Sequence, residues 1–316
     1  MTHKVFIDGE AGTTGLQIAS RLSGRADLDL IRLGDAERKD RDARRRALNA
    51  ADAVILCLPD EAAIEAVSLI ENETTRVIDA STAHRVSEGW VYGFAEMEPG
   101  QREAIATSRR IANPGCYATG FIALVRPLTR AGLIPDYWPL TCNAVSGYSG
   151  GGKAMIASFE DPQSADATAD NYRIYATGLN HKHLPEMMAW GGLESPPLFT
   201  PAVGRYAQGM IVEIPLQLWA LPTEPSLADL QAVFEEAYAG PGFVHVASAD
   251  EAASTKALEP EMLNNTNALK IYVFGDPHHG QARLVAVLDN LGKGASGAAV
   301  QNLNIALGVP ENLGLS

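Results

Sequence analysis

The sequence predicts an α/β protein in which a doubly wound parallel sheet is followed by a mixed α+β domain. Three observations predict it. From residue 4 to residue 79 short apolar runs alternate with helical patterns, the signature of parallel strands covered by helices on both faces. A glycine-rich turn joins the first strand to the first helix, the place where such sheets bind nucleotides. After about Asn113 the strands lengthen and their connections grow. With 316 residues, at about 100–200 per domain, the chain has room for two.

Residues 5–7 (VFI) form the first expected strand. Residues 15–22 form the first helix, with Leu16, Ile18, Ala19 and Leu22 at helical spacing. Residues 28–33 (LDLIRL) predict a second strand, 41–49 a polar, arginine-rich helix, 54–58 a third strand, 61–70 a third helix and 76–79 a fourth strand. The first βαβ unit crosses over right-handed. Farther on, 122–133 reads as a helix interrupted by Pro127, and 140–146 as a strand. A glycine- and serine-rich stretch at 147–152 precedes a polar stretch to Asn171. Residues 210–220, 269–274 and 283–288 read as strands, and the small-residue segment 295–307 as a closing helix. There is no internal repeat and no low-complexity tail.

Composition narrows the class of function. The chain is 46% hydrophobic and 20% charged, with a mean hydropathy of −0.04, ordinary values for a globular protein with a sizeable core. Its net charge of −13 argues against nucleic acid or an anionic membrane as the main partner. The longest apolar run, 53–58, stops at Pro59, far short of a membrane span. One lysine precedes Val5, too little for a signal peptide. Three cysteines make no disulfide framework, and the cytoplasm is the expected address.

The first turn carries Gly9, Gly12 and Gly15 in the pattern G-x-x-G-x-x-G. Gly9 permits a sharp turn, Gly12 lets backbone approach a phosphate, and Gly15 allows close helix–strand packing. Together they expose amide N–H groups at a helix start, an anion site. The spacing departs from the G-x-G-x-x-G dinucleotide fingerprint, so the position of the turn carries the argument. Near the end of the second strand stands Arg32, with Arg38, Lys39 and Arg41 nearby, where an acidic residue would hold the 2′-hydroxyl of NAD. A guanidinium there suits a 2′-phosphate and favours NADP, although Asp35 keeps NAD open. The run Arg44–Arg46 is expected on a solvated helix face.

Among the cysteines, Cys57 and Cys142 fall in apolar strands and read as small buried hydrophobes. Cys116 lies on a Pro-Gly turn opening a helix, in NPGCYATG at 113–120. Unpaired helix-start N–H groups favour the nucleophilic thiolate and offer a site for an oxyanion on the acyl carbon under attack. Such a nucleophile needs a base. His181 and His183 form an H-x-H pair, expected on an extended segment with both rings on one face. That pair also suits zinc, but no convincing third ligand lies beside it, and no metal is expected. His278 and His279 read as loop residues, and His3 and His245 as surface or structural. His84 follows the end of a parallel strand, and Arg85 beside it could hold an anionic group of a substrate.

The segments GEAGTTGLQI, DASTAHR (79–85), FAEM (94–97), NPGCYATG, SGYSGGGK (146–153), HKHLPE and DNLGKGASGAAVQN (289–302) occur in one order. In these, over essentially the whole chain, the sequence resembles the short-form N-acetyl-gamma-glutamyl-phosphate reductases. The resemblance implies NADPH-dependent reduction of N-acetyl-gamma-glutamyl phosphate to N-acetylglutamate semialdehyde, the third step of arginine biosynthesis. It also implies a Rossmann-type nucleotide domain within the fold shared by aspartate-semialdehyde and glyceraldehyde-3-phosphate dehydrogenases. The closing helix there returns to the nucleotide domain, giving 1–115 with 295–316 as the NADP-binding domain and 116–294 as the catalytic and oligomerisation domain. On this chain Cys116 would be the nucleophile, forming a thioester that accepts hydride, and His183 the general acid/base. His181 is assigned to substrate contact, a role the two histidines could exchange. Arg85, Ser149, Gly150 and Lys153 are implied as holders of phosphate or carboxylate. The implied cofactor set is Gly9, Gly12, Thr13, Thr14, Gly15, Arg32 and Ser81, with Asn290 and Gly292 at the nicotinamide end. The expected partner is a small acyl phosphate, and the expected assembly a homodimer or homotetramer. Three other readings stay open: aspartate-semialdehyde dehydrogenase or a related acyl-phosphate reductase; a thiol acyltransferase or hydrolase, which leaves the glycine turn unexplained; and a non-catalytic NADP sensor, which has no use for a reactive thiol.

Overall fold

The computed structural model describes residues 2–316. In chain order the first elements are β1 (His3–Asp8), α1 (Thr13–Leu22), β2 (Leu28–Ile31), α2 (Arg41–Ala50), β3 (Ala53–Leu56), α3 (Asp60–Ser68) and β4 (Arg76–Asp79). They are followed by β5 (Val91–Tyr92), α4 (Gln101–Thr107) and β6 (Arg110–Ala112). Then come α5 (Cys116–Arg130), β7 (Thr141–Gly147), α6 (Gly152–Glu160), β8 (Tyr172–Ile174), α7 (Leu184–Gly191), β9 (Leu198–Gly204) and β10 (Met210–Gln217). The last are α8 (Leu227–Ala237), β11 (Val244–Val246), α9 (Ala249–Ser254), β12 (Leu269–Asp276), β13 (Gln281–Leu288) and α10 (Gly297–Leu307). The chain divides into two compact units, residues 2–95, 100–115 and 295–316 in one, and residues 96–99 and 116–294 in the other.

Among the described residues the first unit holds a six-stranded sheet in the order β2-β1-β3-β4-β6-β5, its neighbours paired in parallel. Its central strand β3 reads Ala-Val-Ile-Leu and is buried throughout, as a strand covered on both faces must be. On one face Ile18 and Leu22 of α1 and Val300 and Leu303 of α10 pack against Val5, Ile7 and Ile55. On the other, Leu48 of α2 and Ala63 and Ala66 of α3 pack against Phe6, Val54, Leu56 and Val77. This is the doubly wound arrangement the alternating pattern predicts. The short β5 and β6 have no counterpart in the sequence reading.

Among the described residues the second unit holds a seven-stranded mixed sheet in the order β11-β12-β13-β10-β7-β9-β8. β10 runs antiparallel to both β7 and β13, while β7 and β9 are parallel. Helix α5 is buried all round, with Phe121, Ile122, Leu124, Val125 and Leu128 at 0% exposure. A Cβ on its Gly120 would lie 2.7 Å from Val212 Cγ2 on β10, so glycine lets the helix sit down on the sheet. The interruption expected at Pro127 does not occur. Proline leaves the carbonyl four residues earlier without its usual donor, and that carbonyl, of Ala123, accepts instead from the Tyr238 hydroxyl at 2.8 Å. The polar stretch expected up to Asn171 begins with a helix, α6.

Candidate active site

In the first unit β1 delivers the glycine turn. Gly9 has φ +89°, and a Cβ on it would lie 2.3 Å from the Cys57 carbonyl oxygen. A Cβ on Gly15 would lie 2.4 Å from Gly9 O, so strand and helix meet backbone to backbone. Gly12 donates its N–H to Gly9 O at 3.0 Å. Thr13 and Thr14 are the first residues of α1, where amides have no acceptor within the helix. Beside the turn opens a cavity of about 560 Å³ whose lining includes Gly9, Glu10, Ala11, Asp35, Arg38 and Lys39. Gly9 and the cations of its lining suit a dinucleotide.

Of the arginines in this unit, Arg44 departs from expectation. Arg32 lies just beyond β2, 61% exposed in its side chain, and pairs with Glu10 at 3.5 Å, while Arg38 and Lys39 line the cavity. Arg44, expected on a solvated face, is buried and also lines the cavity. Its Nε and Nη2 donate to Asp8 Oδ2 at 3.1 and 2.9 Å, and Nη1 to Glu65 at 3.3 Å. The carboxylate of Asp8 at the end of β1 is 6% exposed and needs a counter-charge, which draws Arg44 inward.

At the end of β4 the Asp79 carboxylate, 0% exposed, accepts from the Ser81 amide at 2.9 Å and the Ser81 hydroxyl at 2.7 Å. His84 Nδ1 lies 2.6 Å from the same carboxylate, and its ring stacks on Trp90 at 4.0 Å. Ser81 thus spends its hydroxyl on Asp79. Arg85, 7% exposed, donates from Nε to Asn113 O at 3.1 Å. Asn113 Nδ2 donates to Ala295 O at 3.1 Å. This network fixes the backbone that leads into the thiol segment.

In the second unit Cys116 is the first residue of α5. A Cβ on Gly294 would lie 2.7 Å from Cys116 Cβ. Tyr117 donates its hydroxyl to Ala202 O at 3.1 Å. Around it gather the rings of His181, at 5.7 Å, and His183, at 5.9 Å. The two imidazoles are 4.7 Å apart at 84°. They do not stand on an extended segment: His183 has φ −87° and ψ −8° and caps α7, so a turn brings the rings edge to face.

The hydrogen bonds distinguish the two histidines. The His183 amide donates to His181 Nδ1 at 3.1 Å, and Tyr175 Oη lies 3.4 Å from His181 Nε2. His181 Nδ1 is therefore an acceptor, and the proton of the neutral ring sits on Nε2 facing the tyrosine. His183 Nε2 lies 3.9 Å from Glu186 Oε1, both groups buried. Burial pushes the Tyr117 and Tyr175 hydroxyls well above their usual range, and charge on nearby Cys116 adds to it. Both phenols thus stay protonated at neutral pH.

Of the other expected residues, Ser149, Gly150 and Asn290 come together. Asn290 Nδ2 donates to Ser149 Oγ at 3.0 Å, its Oδ1 accepts from Gly209 N at 2.7 Å, and Gly150 abuts its amide. Gly292 opens a π-helical turn, and a Cβ there would lie 2.1 Å from Thr266 O. Lys153 stands exposed on α6. Cys57 falls just past β3 and is half-buried rather than buried, its thiol pushed up to about 12 by desolvation and the nearby Asp79 and Asp8 carboxylates. Cys142 is wholly buried on β7, and burial raises its thiol still further. Among the described residues no group of three His, Cys, Asp or Glu side chains is placed to hold a metal ion. The sequence reading gave no role to Tyr175 or Glu186. Glu186 follows His183 by three residues at a helix start, a spacing that puts both on one face. Tyr175 carries no such signal; it lies in a loop where Ala176 and Leu179 take positive φ, 51° and 55°.

These features define a class, a nucleotide-dependent dehydrogenase built around a thiol, and family models agree. Residues 36–107 match the semialdehyde dehydrogenase NAD binding domain and residues 116–290 the semialdehyde dehydrogenase dimerisation domain. Curated N-acetyl-gamma-glutamyl-phosphate reductases of Brucella ovis and Brucella abortus are 55% identical over 309 residues, 98% of this chain and 100% of theirs. The chain belongs to the N-acetyl-gamma-glutamyl-phosphate reductases, within the semialdehyde dehydrogenase family. Among solved structures, a probable aspartate-semialdehyde dehydrogenase from Pseudomonas aeruginosa superposes with a TM-score of 0.72 at 16% identity, covering 97% of this chain and 99% of that one. Aspartate semialdehyde dehydrogenase from Candida albicans, solved with NADP, gives 0.67 at 15% identity, covering 99% and 100%. At such identity these neighbours establish the fold.

Proposed function

We propose that the chain reduces N-acetyl-gamma-glutamyl phosphate to N-acetylglutamate 5-semialdehyde with NADPH, releasing phosphate, within arginine biosynthesis. Residues 1–115 with 295–316 supply the NADP-binding domain and 116–294 the catalytic and oligomerisation domain. The observation that carries the reading is Cys116 at the start of α5, with the rings of two inequivalent histidines gathered on the adjoining Tyr117.

Cys116 attacks as thiolate, favoured by the helix-start amides. Its sulfur bonds to the acyl carbon, the bond to the phosphate oxygen breaks, and phosphate leaves with that electron pair. The first-turn amides of α5 stabilise the oxyanion on the way to the thioester. When bound, NADPH supplies the hydride that reduces the thioester carbon. Gly9, Gly12, Thr13, Thr14 and Gly15 hold its phosphates, and Arg32, Arg38 and Lys39 its 2′-phosphate. His183 moves the proton, giving it to the carbonyl oxygen on reduction and taking it back as the thiolate departs, with Glu186 steadying the imidazolium. His181 cannot serve as base while its lone pair is taken by the His183 amide, so it contacts substrate through the Nε2–H it shares with Tyr175. Lys153, Ser149 and Gly150 bind the anionic ends of the substrate, Asn290 orients Ser149, and Arg85 orders the thiol segment.

A small acyl phosphate is the partner. The assembly is a homodimer or homotetramer joined through the sheet face that bears Tyr172, Ile174 and Leu198, exposed at 62%, 64% and 48%. Three cysteines present as thiols fit a reducing compartment, the cytoplasm.

The reading is tested by following NADPH oxidation with N-acetyl-gamma-glutamyl phosphate and with β-aspartyl phosphate. Activity confined to the aspartyl substrate would overturn it in favour of the enzymes whose fold this chain shares.

A further inference from the structure

Lys293 is 1% exposed, one of the largest fully buried side chains. It stands in the π-helical turn Gly292–Ser296, a form that recurs at functional sites. Its Nζ lies 2.7 Å from Glu96 Oε2 and 5.5 Å from the centre of the Phe243 ring. The other oxygen of Glu96 accepts from the Phe243 amide at 3.3 Å. The next residue in the turn, Gly294, is the one whose Cβ would strike Cys116 Cβ, and its N–H donates to Asp289 O at 2.9 Å. Glu96 comes from residues 96–99, which belong to the second unit although residues on either side belong to the first. The same short segment places Glu98 2.7 Å from Arg126 on α5, the helix that Cys116 opens. Four residues thus grip both the thiol's helix and the turn behind it. A buried ion pair adds little net stability, because desolvation cancels most of the attraction, so its use here is geometric.

We propose that Glu96 and Lys293 are positioning residues, their buried pair fixing the turn against Cys116 so that the sulfur is held for attack. The proposal rests on the thiol mechanism above. Lys293→Met and Glu96→Gln are compared with the parent enzyme for kcat, KM for NADPH, melting temperature and the rate at which iodoacetamide alkylates Cys116. The expected result for each is a kcat about tenfold lower at unchanged KM for NADPH. Lower melting temperature with parental kcat would overturn the proposal, as would failure of both variants to fold, since either assigns the pair to stability. Should the parent not reduce the acyl phosphate, the functional reading falls, and the pair is read on alkylation alone, which needs no substrate. There a change of about threefold or more supports it and an unchanged rate overturns it.

Discussion

Replacing Gly294 by alanine tests how closely the thiol is held. The added methyl would lie 2.7 Å from Cys116 Cβ, 3.2 Å from its Cα and 3.1 Å from Asp289 O. Two of the three contacts are backbone atoms, which cannot swing aside as a flexible side chain does. Carbon atoms rest at about 3.5 Å or more, so Cys116 or the turn must give by about 0.8 Å. A displacement of that size at the reacting atom costs about ten- to a hundredfold in kcat, or about 1.4–2.7 kcal/mol of barrier. NADPH affinity, set by the glycine turn and the cavity beside it, stays at the parental value. Steady-state NADPH oxidation gives kcat, and fluorescence titration of NADPH gives the affinity. A folded Gly294→Ala enzyme with parental kcat would refute the reasoning, because the contact would then not fix the sulfur.

Three further outcomes are expected. His183→Ala lowers kcat/KM by about 10²–10⁴-fold, whereas His181→Ala acts mainly on the KM for the acyl phosphate; equal losses in kcat would remove the distinction drawn from the tautomer. Arg38→Ser with Lys39→Ser cuts the preference for NADPH over NADH by about tenfold or more, read from the two KM values, and an unchanged ratio would place the 2′-phosphate elsewhere. Cys57 holds its proton more tightly when folded, moving from 9.0 to about 12, so its contribution to stability is complete below pH 9.0 and is lost as pH rises toward about 12. Urea unfolding of the parent and Cys57→Ala across that window checks the sign, and peptide mapping after alkylation at neutral pH is expected to find Cys116 labelled and Cys57 intact.

What could be read from the sequence was what neighbouring residues decide together. The alternation from Val5 to Asp79, the turn Gly9–Gly15 and the thiol at Cys116 are local patterns whose physics acts within one turn of chain. What escaped depends on residues distant in sequence. Pro127 signals a break, but the Tyr238 hydroxyl caps the carbonyl it orphans. Arg44 reads as a surface residue until β1 brings the Asp8 carboxylate beneath α2. The roles of His181 and His183 stay exchangeable until the backbone turns and one amide takes the other ring's lone pair. Lys293 and Glu96 stand 197 positions apart, and nothing near either one announces the other.

A single experiment bears most directly on the mechanism: mixing the enzyme with N-acetyl-gamma-glutamyl phosphate in the absence of NADPH, quenching in acid and mapping the peptides by mass spectrometry. One N-acetylglutamyl group is expected on the sulfur of Cys116, absent from Cys116→Ser, with one phosphate released per modified chain. Release of aldehyde on adding NADPH to parent enzyme that carries no such group, or undiminished turnover by Cys116→Ser, would contradict the account.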